Sequence, residues 1–244
     1  MKTLSILTLG VILFTACQSS QTPSIPTLDS IQISIPNKSR QLLFVTTPDW
    51  SSREGRLQRY EKRQEDWQKV GQPVNIILGR NGLGWGRGLH TIPKDAKIIK
   101  KEGDGKSPAG LFVLGNGFGY NSLKIDFPYE TYRRTDHCVD DSGSQWYNQI
   151  IDSTETTKDY KSFEHMKLNN NLYKYGIIVN HNPHQIAQGG SCIFMHIRSG
   201  NGKGTAGCTA MRESEIVEIL KWLKEEEQPL LLQLPLVEIE KHKY

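Results

Sequence analysis

The chain has 244 residues, of which 36% are apolar and 23% charged, with 22 Gly and 11 Pro. That is the composition of a globular body with a sizeable core, and it excludes collagen-like, disordered and multi-span membrane architectures. The 30 basic residues against 26 acidic ones give a net charge of +4, and their scatter along the chain argues against a nucleic-acid-binding arm.

The first predicted element is an export signal. Lys2 supplies a positive start and residues 4–14 form a largely apolar run, too short for a membrane span, which needs about 20 residues. The Phe14-Thr15-Ala16-Cys17 tetrapeptide is similar to a bacterial lipobox. That resemblance implies acylation of Cys17 as the first residue of the mature chain; ordinary signal cleavage with an incidental cysteine is the competing reading. Gln18 in the next position resembles a signal for outer-membrane sorting. The expected location is therefore the periplasmic face of the outer membrane, or the periplasm if no lipid is attached. Residues 18–30 are rich in Gln, Ser, Thr and Pro, a composition that cannot bury enough apolar surface to fold alone. The expected organisation is a signal peptide over 1–16, a lipid-anchored tether over 17–40 and a folded body over 41–244.

Within the body, apolar runs bounded by turn residues predict strands at 41–47, 56–62, 66–70 and 74–78, an antiparallel meander. Further strands are predicted at 97–100, 110–114, 175–180 and 192–198. The glycine-rich stretches 82–88 and 200–204 read as mobile loops: the first opens no helix, and Gly204 stands where a phosphate loop requires Ser or Thr. One helix is predicted, over about 212–226. Ile216, Ile219, Leu220 and Leu223 share a face, with Glu213, Glu215 and Glu218 early and Lys221 and Lys224 late, as the helix dipole favours. A last strand is predicted at 230–234. The fold class is thus mainly β, a mixed sandwich or open barrel closed by a C-terminal amphipathic helix, and no fixed-period repeat is present.

The chemistry concentrates between His196 and Cys208. A histidine at the end of an apolar strand is followed by a glycine-rich turn able to return the chain as a bent hairpin, then Thr205-Ala206-Gly207-Cys208. An imidazole within reach can take the proton of a thiol and later hand one to a leaving amine. Gly207 lets a substrate carbonyl approach, so backbone N–H groups at Gly207 and Cys208 are candidates for an oxyanion hole.

This run resembles the signature of the YkuD-type L,D-transpeptidases: a histidine, a variable loop, then Ser or Thr, any residue, Gly and Cys. Upstream, Pro108-Ala109-Gly110-Leu111-Phe112 is similar to the family's Pro-x-Gly-x-Phe element, and the resemblance extends from about residue 42 to 236. The chain departs from the pattern at Ala206 and Ala210, where the family often has His and then Asn or Arg, and its loop is shorter. The resemblance implies that Cys208, deprotonated by His196, attacks the L-centre carbonyl of the third residue of a peptidoglycan stem tetrapeptide, releases the terminal D-alanine and forms a thioester. An amine of a second stem resolves it into a cross-link. Thr205 either supports the turn or orients His196. Asn180 and His181 are candidate substrate contacts. With Cys17 given to lipid and Cys208 to catalysis, Cys138 and Cys192 form a disulfide in an exported protein or stay as two buried thiols. Trp85, Trp146 and Tyr147 are candidates for a substrate groove or for packing.

His181, His184, His196 and Cys208 are zinc-ligand types, but their spacing matches no zinc module, so no metal and no cofactor is expected. Two alternatives stand beside the transpeptidase: a carboxypeptidase or endopeptidase on the same fold, with water as acceptor, and a non-catalytic wall-binding lipoprotein. The expected partners are stem peptides and, through the anchor, a membrane; the expected state is a monomer.

Overall fold

A computed structural model describes residues 28, 31, 33–200 and 202–241. Cys17, the signal peptide and most of the tether lie outside the described residues. At the end of the expected tether, Ile33 and Ile35 pack on the main core, so the body begins before residue 41.

Strand β1 (Gln41–Thr47) is buried along its whole length. Leu42, Leu43, Phe44 and Val45 send apolar side chains to both faces, and such a strand is stable only with cover on both. It pairs antiparallel with β2 (Glu54–Arg63), which pairs antiparallel with β3 (Asp66–Ile77). The meander is as expected, but the two strands predicted at 66–70 and 74–78 are one. Gly71, at φ +65°, sits between them and the register shifts opposite it, so the interruption read from the sequence is a bulge and not a turn.

Next come β4 (Leu83–Trp85), β5 (Ser107–Gly119) and β6 (Tyr129–Thr131). The stretch expected as a mobile loop at 82–88 contains β4 and is tightly packed. A Cβ on Gly88 would meet the Leu111 carbonyl at 2.2 Å, and one on Gly86 would meet Pro108 at 2.6 Å. The strand predicted at 97–100 is reduced to a single bridge between Ile99 and Trp85. A three-stranded sheet follows: β7 (Asp136–Val139), flanked by β8 (Ile150–Asp152) and β9 (Phe163–His165). The chain then returns to the main sheet with β10 (Tyr175–Val179), β11 (Phe194–Ile197) and β12 (Thr209–Met211).

Helix α1 (Glu213–Trp222) is shorter than predicted. The Arg212 N–H donates to Glu215 Oε2 at 2.8 Å and fixes its start, while Leu223 is extended and a separate 3-10 turn occupies Glu225–Glu227. Ile216, Ile219 and Leu220 are buried as the periodicity required. A Cβ on Gly117 would lie 2.7 Å from Leu220, so that glycine lets the helix approach the sheet. Strand β13 (Leu230–Pro235) inserts between β1, parallel, and β5, antiparallel, and a short α2 (Leu236–Glu240) follows.

The fold is mainly β. The main sheet runs β10-β11-β12-β3-β2-β1-β13-β5, and β5 pairs back onto β10. The expected open barrel is therefore closed, which removes most free edges. The weakest seam is between β12 and β3, held in register by Ala210 and Ile77. The segment from His196 to Cys208 leads into that seam.

Candidate active site

Strands β11 and β12 are parallel, not a hairpin: Met195 pairs with Thr209 and His196 with Ala210. Parallel neighbours cannot be joined by a tight turn, so the glycine-rich stretch after His196 crosses over and the bent hairpin expected there is absent. Cys208 stands two residues before Ala210. The register thus sets His196 beside Ala210, two residues after Cys208, and both side chains line the same cavity.

The turn carrying Cys208 is fixed by its backbone. Thr205 is tied to β3's end, its N–H donating to Leu78 O at 2.8 Å and its carbonyl accepting from the Arg80 N–H at 2.9 Å. The Thr205 hydroxyl donates to the Cys208 carbonyl at 2.7 Å and accepts from the Gly207 N–H at 3.1 Å. Buried Ser107, at the head of the Pro108–Phe112 element, donates to the same Cys208 carbonyl at 3.1 Å. Of the two roles open to Thr205, the structure shows support of the turn. The Gly207 N–H is engaged by Thr205 and so is not free for an oxyanion. Its glycine answers a packing need instead, since a Cβ there would meet Lys106 O at 3.0 Å and Ile193 at 3.1 Å. The upstream element has an equally local cause: Gly110 has φ +128°, and the His90 ring fills the space a Cβ would need.

Cys208 and His196 are 5% and 7% exposed and line one cavity of about 230 Å³ with Glu164, Tyr173, Arg198 and Ala210. The thiol's hydrogen-bond partners are backbone: the Phe194 N–H donates to Sγ at 3.3 Å, and Cys192 O lies 3.7 Å away. Burial pushes the Cys208 thiol up, the nearby Glu164 carboxylate adds to this, and the Phe194 N–H and Lys100 act against it. Burial pushes His196 down, opposed by its contact with Ile197 O. The resting pair is accordingly a neutral thiol and a neutral imidazole. His196 Nδ1 is 2.8 Å from Ile197 O; a carbonyl only accepts, so the proton sits on Nδ1 and Nε2 is the basic nitrogen. Ala210, paired with His196 across β11 and β12, lines the same cavity.

Two residues of the cavity carry no sequence signal. The Tyr173 hydroxyl donates to Glu164 Oε2, and the Tyr173 ring meets the His196 ring edge-on at 5.2 Å between centroids. Glu164 is pushed up to about 7, chiefly by burial, with Asp140 and Glu102 adding to the effect and Tyr173 opposing it. Glu164 reaches the site on β9 of the three-stranded sheet, and Tyr173 from the turn that precedes β10. Cys138 is disulfide-bonded to Cys192, and Cys138 pairs in register with Glu164, so the bond pins the sheet over the cavity. Among the described residues Cys208 is the free cysteine.

Asn180 and His181 do not join this cavity; they line a separate one with Pro183 and Gln185. His181 is 1% exposed, accepts from the Arg87 N–H at Nδ1 and contacts Gly189 O through Nε2 at 3.0 Å. Burial pushes it down to about 3. It is a neutral, buried histidine apart from the Cys208 cavity, while Asn180 is exposed. Trp85 and Tyr147 are buried, and Tyr147 donates to Glu102; they serve packing. Among the described residues no cluster of three or more His, Cys, Asp or Glu is placed to hold a metal.

No family model and no curated protein matches the chain. Among solved structures it is similar to Bd1075 of Bdellovibrio bacteriovorus, at 14% identity and a TM-score of 0.41 over 86% of this chain and 55% of that one. It is also similar to Pgp2, a helical cell shape determining protein of Campylobacter jejuni, at 14% identity and a TM-score of 0.45 over 84% and 50%. The chain spans about half the length of these structures.

Proposed function

We propose that the chain is an L,D-transpeptidase of the bacterial cell wall, working through a thioester on Cys208. One observation carries the reading. The thiol, from the turn before β12, and the imidazole, from β11, face a single cavity, with the imidazole's Nδ1 proton occupied by Ile197 O and Nε2 left as base. The motif resemblance of the His196–Cys208 and Pro108–Phe112 segments supplies the substrate class.

On this reading a stem tetrapeptide entering the cavity displaces water, Nε2 of His196 takes the Cys208 proton as Sγ attacks the third residue's carbonyl, and the imidazolium protonates the departing D-alanine amine. The Phe194 N–H steadies the sulfur as its charge develops. The amine of a second stem then resolves the thioester. Export and the Cys17 anchor belong to the same reading.

Mass spectrometry of sacculi incubated with wild type and Cys208→Ala tests it. New cross-linked dimers made by wild type and absent with the variant are expected. Loss of stem residues without dimers identifies a hydrolase, and identical profiles identify a binding protein; either result overturns the proposal.

A further inference from the structure

The amine that resolves a thioester arrives as an ammonium ion, because primary amines carry a proton at neutral pH. It must be attracted and deprotonated before it can attack. His196 is the shuttle between sulfur and leaving group, so a second proton acceptor is needed at the same cavity. Glu164 supplies the carboxylate that meets this need. Glu164 lines the cavity with Cys208 and His196, Tyr173 holds its Oε2 by a hydrogen bond, and the same Tyr173 ring abuts the imidazole. Its strand is fastened above the site through Cys138 and Cys192, and Cys192 O is itself the contact of the Cys208 sulfur.

We infer that Glu164 is the acceptor residue of this site: it recognises a protonated primary amine and takes its proton. The inference rests on the transpeptidase reading and names the chemistry of its second substrate. The atoms balance. The ammonium gives one proton to the Glu164 carboxylate, and the freed lone pair forms the C–N bond at the thioester carbonyl as the C–Sγ bond breaks. The second proton, shed by nitrogen as the amide forms, passes through His196 to the Cys208 sulfur. Glu164 later returns its proton to water.

Mutual repulsion orders these events. Two anions in one small cavity oppose each other, so the thiolate and the carboxylate ionise in turn and not together. While the sulfur is carrying charge for attack, Glu164 is held protonated. Once the sulfur is acylated its charge is gone, and the carboxylate forms when the amine is due. Asp140 and Glu102 disfavour the carboxylate throughout and Tyr173 favours it.

Glu164→Gln keeps the shape and the Tyr173 hydrogen bond and removes the base. The test uses a synthetic stem tetrapeptide with a diaminopimelate third residue, as donor and acceptor, and hydroxylamine as a second acceptor that is uncharged at neutral pH. Acyl-enzyme is followed by intact mass, products by chromatography. Expected for Glu164→Gln are acylation of Cys208 at or above the wild-type rate, a cross-linking to hydrolysis ratio lowered by roughly 10²-fold, the scale of general-base catalysis, and unchanged hydroxamate formation. An unchanged ratio overturns the inference alone. Loss of acylation, or an equal fall with both acceptors, shows that Glu164 serves the nucleophile or the fold and also overturns it. No acyl-enzyme on wild type removes the transpeptidase reading and the inference with it.

Discussion

Cys208 is poised differently from a cysteine that rests as a thiolate beside an imidazolium. Burial and Glu164 both favour the neutral thiol, so its thiolate fraction at pH 7 lies below that of a free cysteine, tenfold lower for each pH unit of displacement. Iodoacetamide should label Cys208 of the native protein more slowly than the unfolded chain, with a rate still rising tenfold per pH unit beyond pH 9. A rate plateau below pH 7 would reveal a resting ion pair and contradict this. Glu164 makes a second residue-scale prediction. Its folded pKa, about 7, is above the ordinary carboxyl value of 4.5, so between those values the native state binds the extra proton and stability falls as pH rises. The Tm of Glu164→Gln minus that of wild type should be near zero below pH 4, grow from pH 4.5 to 7 and level off above. A flat difference would place the carboxyl in water. Cys208 and His196 were legible in the sequence because a motif of short span joins them. Glu164 and Tyr173 were not, since nothing in Phe163-Glu164-His165 marks a strand and nothing around Tyr173 marks a turn that meets it at the site.

The three-stranded sheet is the element on which the cavity depends. It contributes Glu164, and the Cys138–Cys192 bond, closing a loop with a sequence separation of 54, ties it to the segment leading into β11 and His196. Chain-entropy arguments give such a bond up to about 4 kcal/mol. The Cys138→Ser, Cys192→Ser double variant should lose stability of that order in urea denaturation and cross-linking activity with it, while retaining the far-UV spectrum of the barrel. Equal activity with and without the bond would separate the sheet from catalysis. Elements dominated by one hydrophobic period were readable: β1 and β13 fall where their apolar runs do, and α1 follows its Ile216–Leu223 stripe. Strands β6 to β9 and β12 were missed because three or four residues carry too little pattern. The parallel register of β11 and β12 was missed because it is a tertiary choice. The segment between them tolerates a hairpin equally well, and what excludes one is the anchoring of Thr205 to Leu78 and Arg80.

At the scale of the molecule, the barrel brings the ends of the body together. Strand β13 lies between β1 and β5, and Gln233 at its centre accepts from Thr209 at 2.9 Å and donates to Pro108 O at 2.8 Å, linking β12, β13 and β5 behind Cys208. A chain ending at residue 228 should therefore show no cooperative thermal transition by circular dichroism; a sharp transition would mean that the barrel is complete without β13. Closure was not legible from local pattern, because the pairing of β5 with β10 joins residues about 60 positions apart. The central claim is that this closed barrel presents one sulfur to a stem peptide. Intact-protein mass spectrometry of the protein mixed with a stem tetrapeptide tests it most directly. The account predicts a Cys208 adduct of the tripeptide acyl group with stoichiometric release of D-alanine, and neither with Cys208→Ala. D-alanine released equally by the variant, or an unmodified wild-type protein after prolonged incubation, would contradict it.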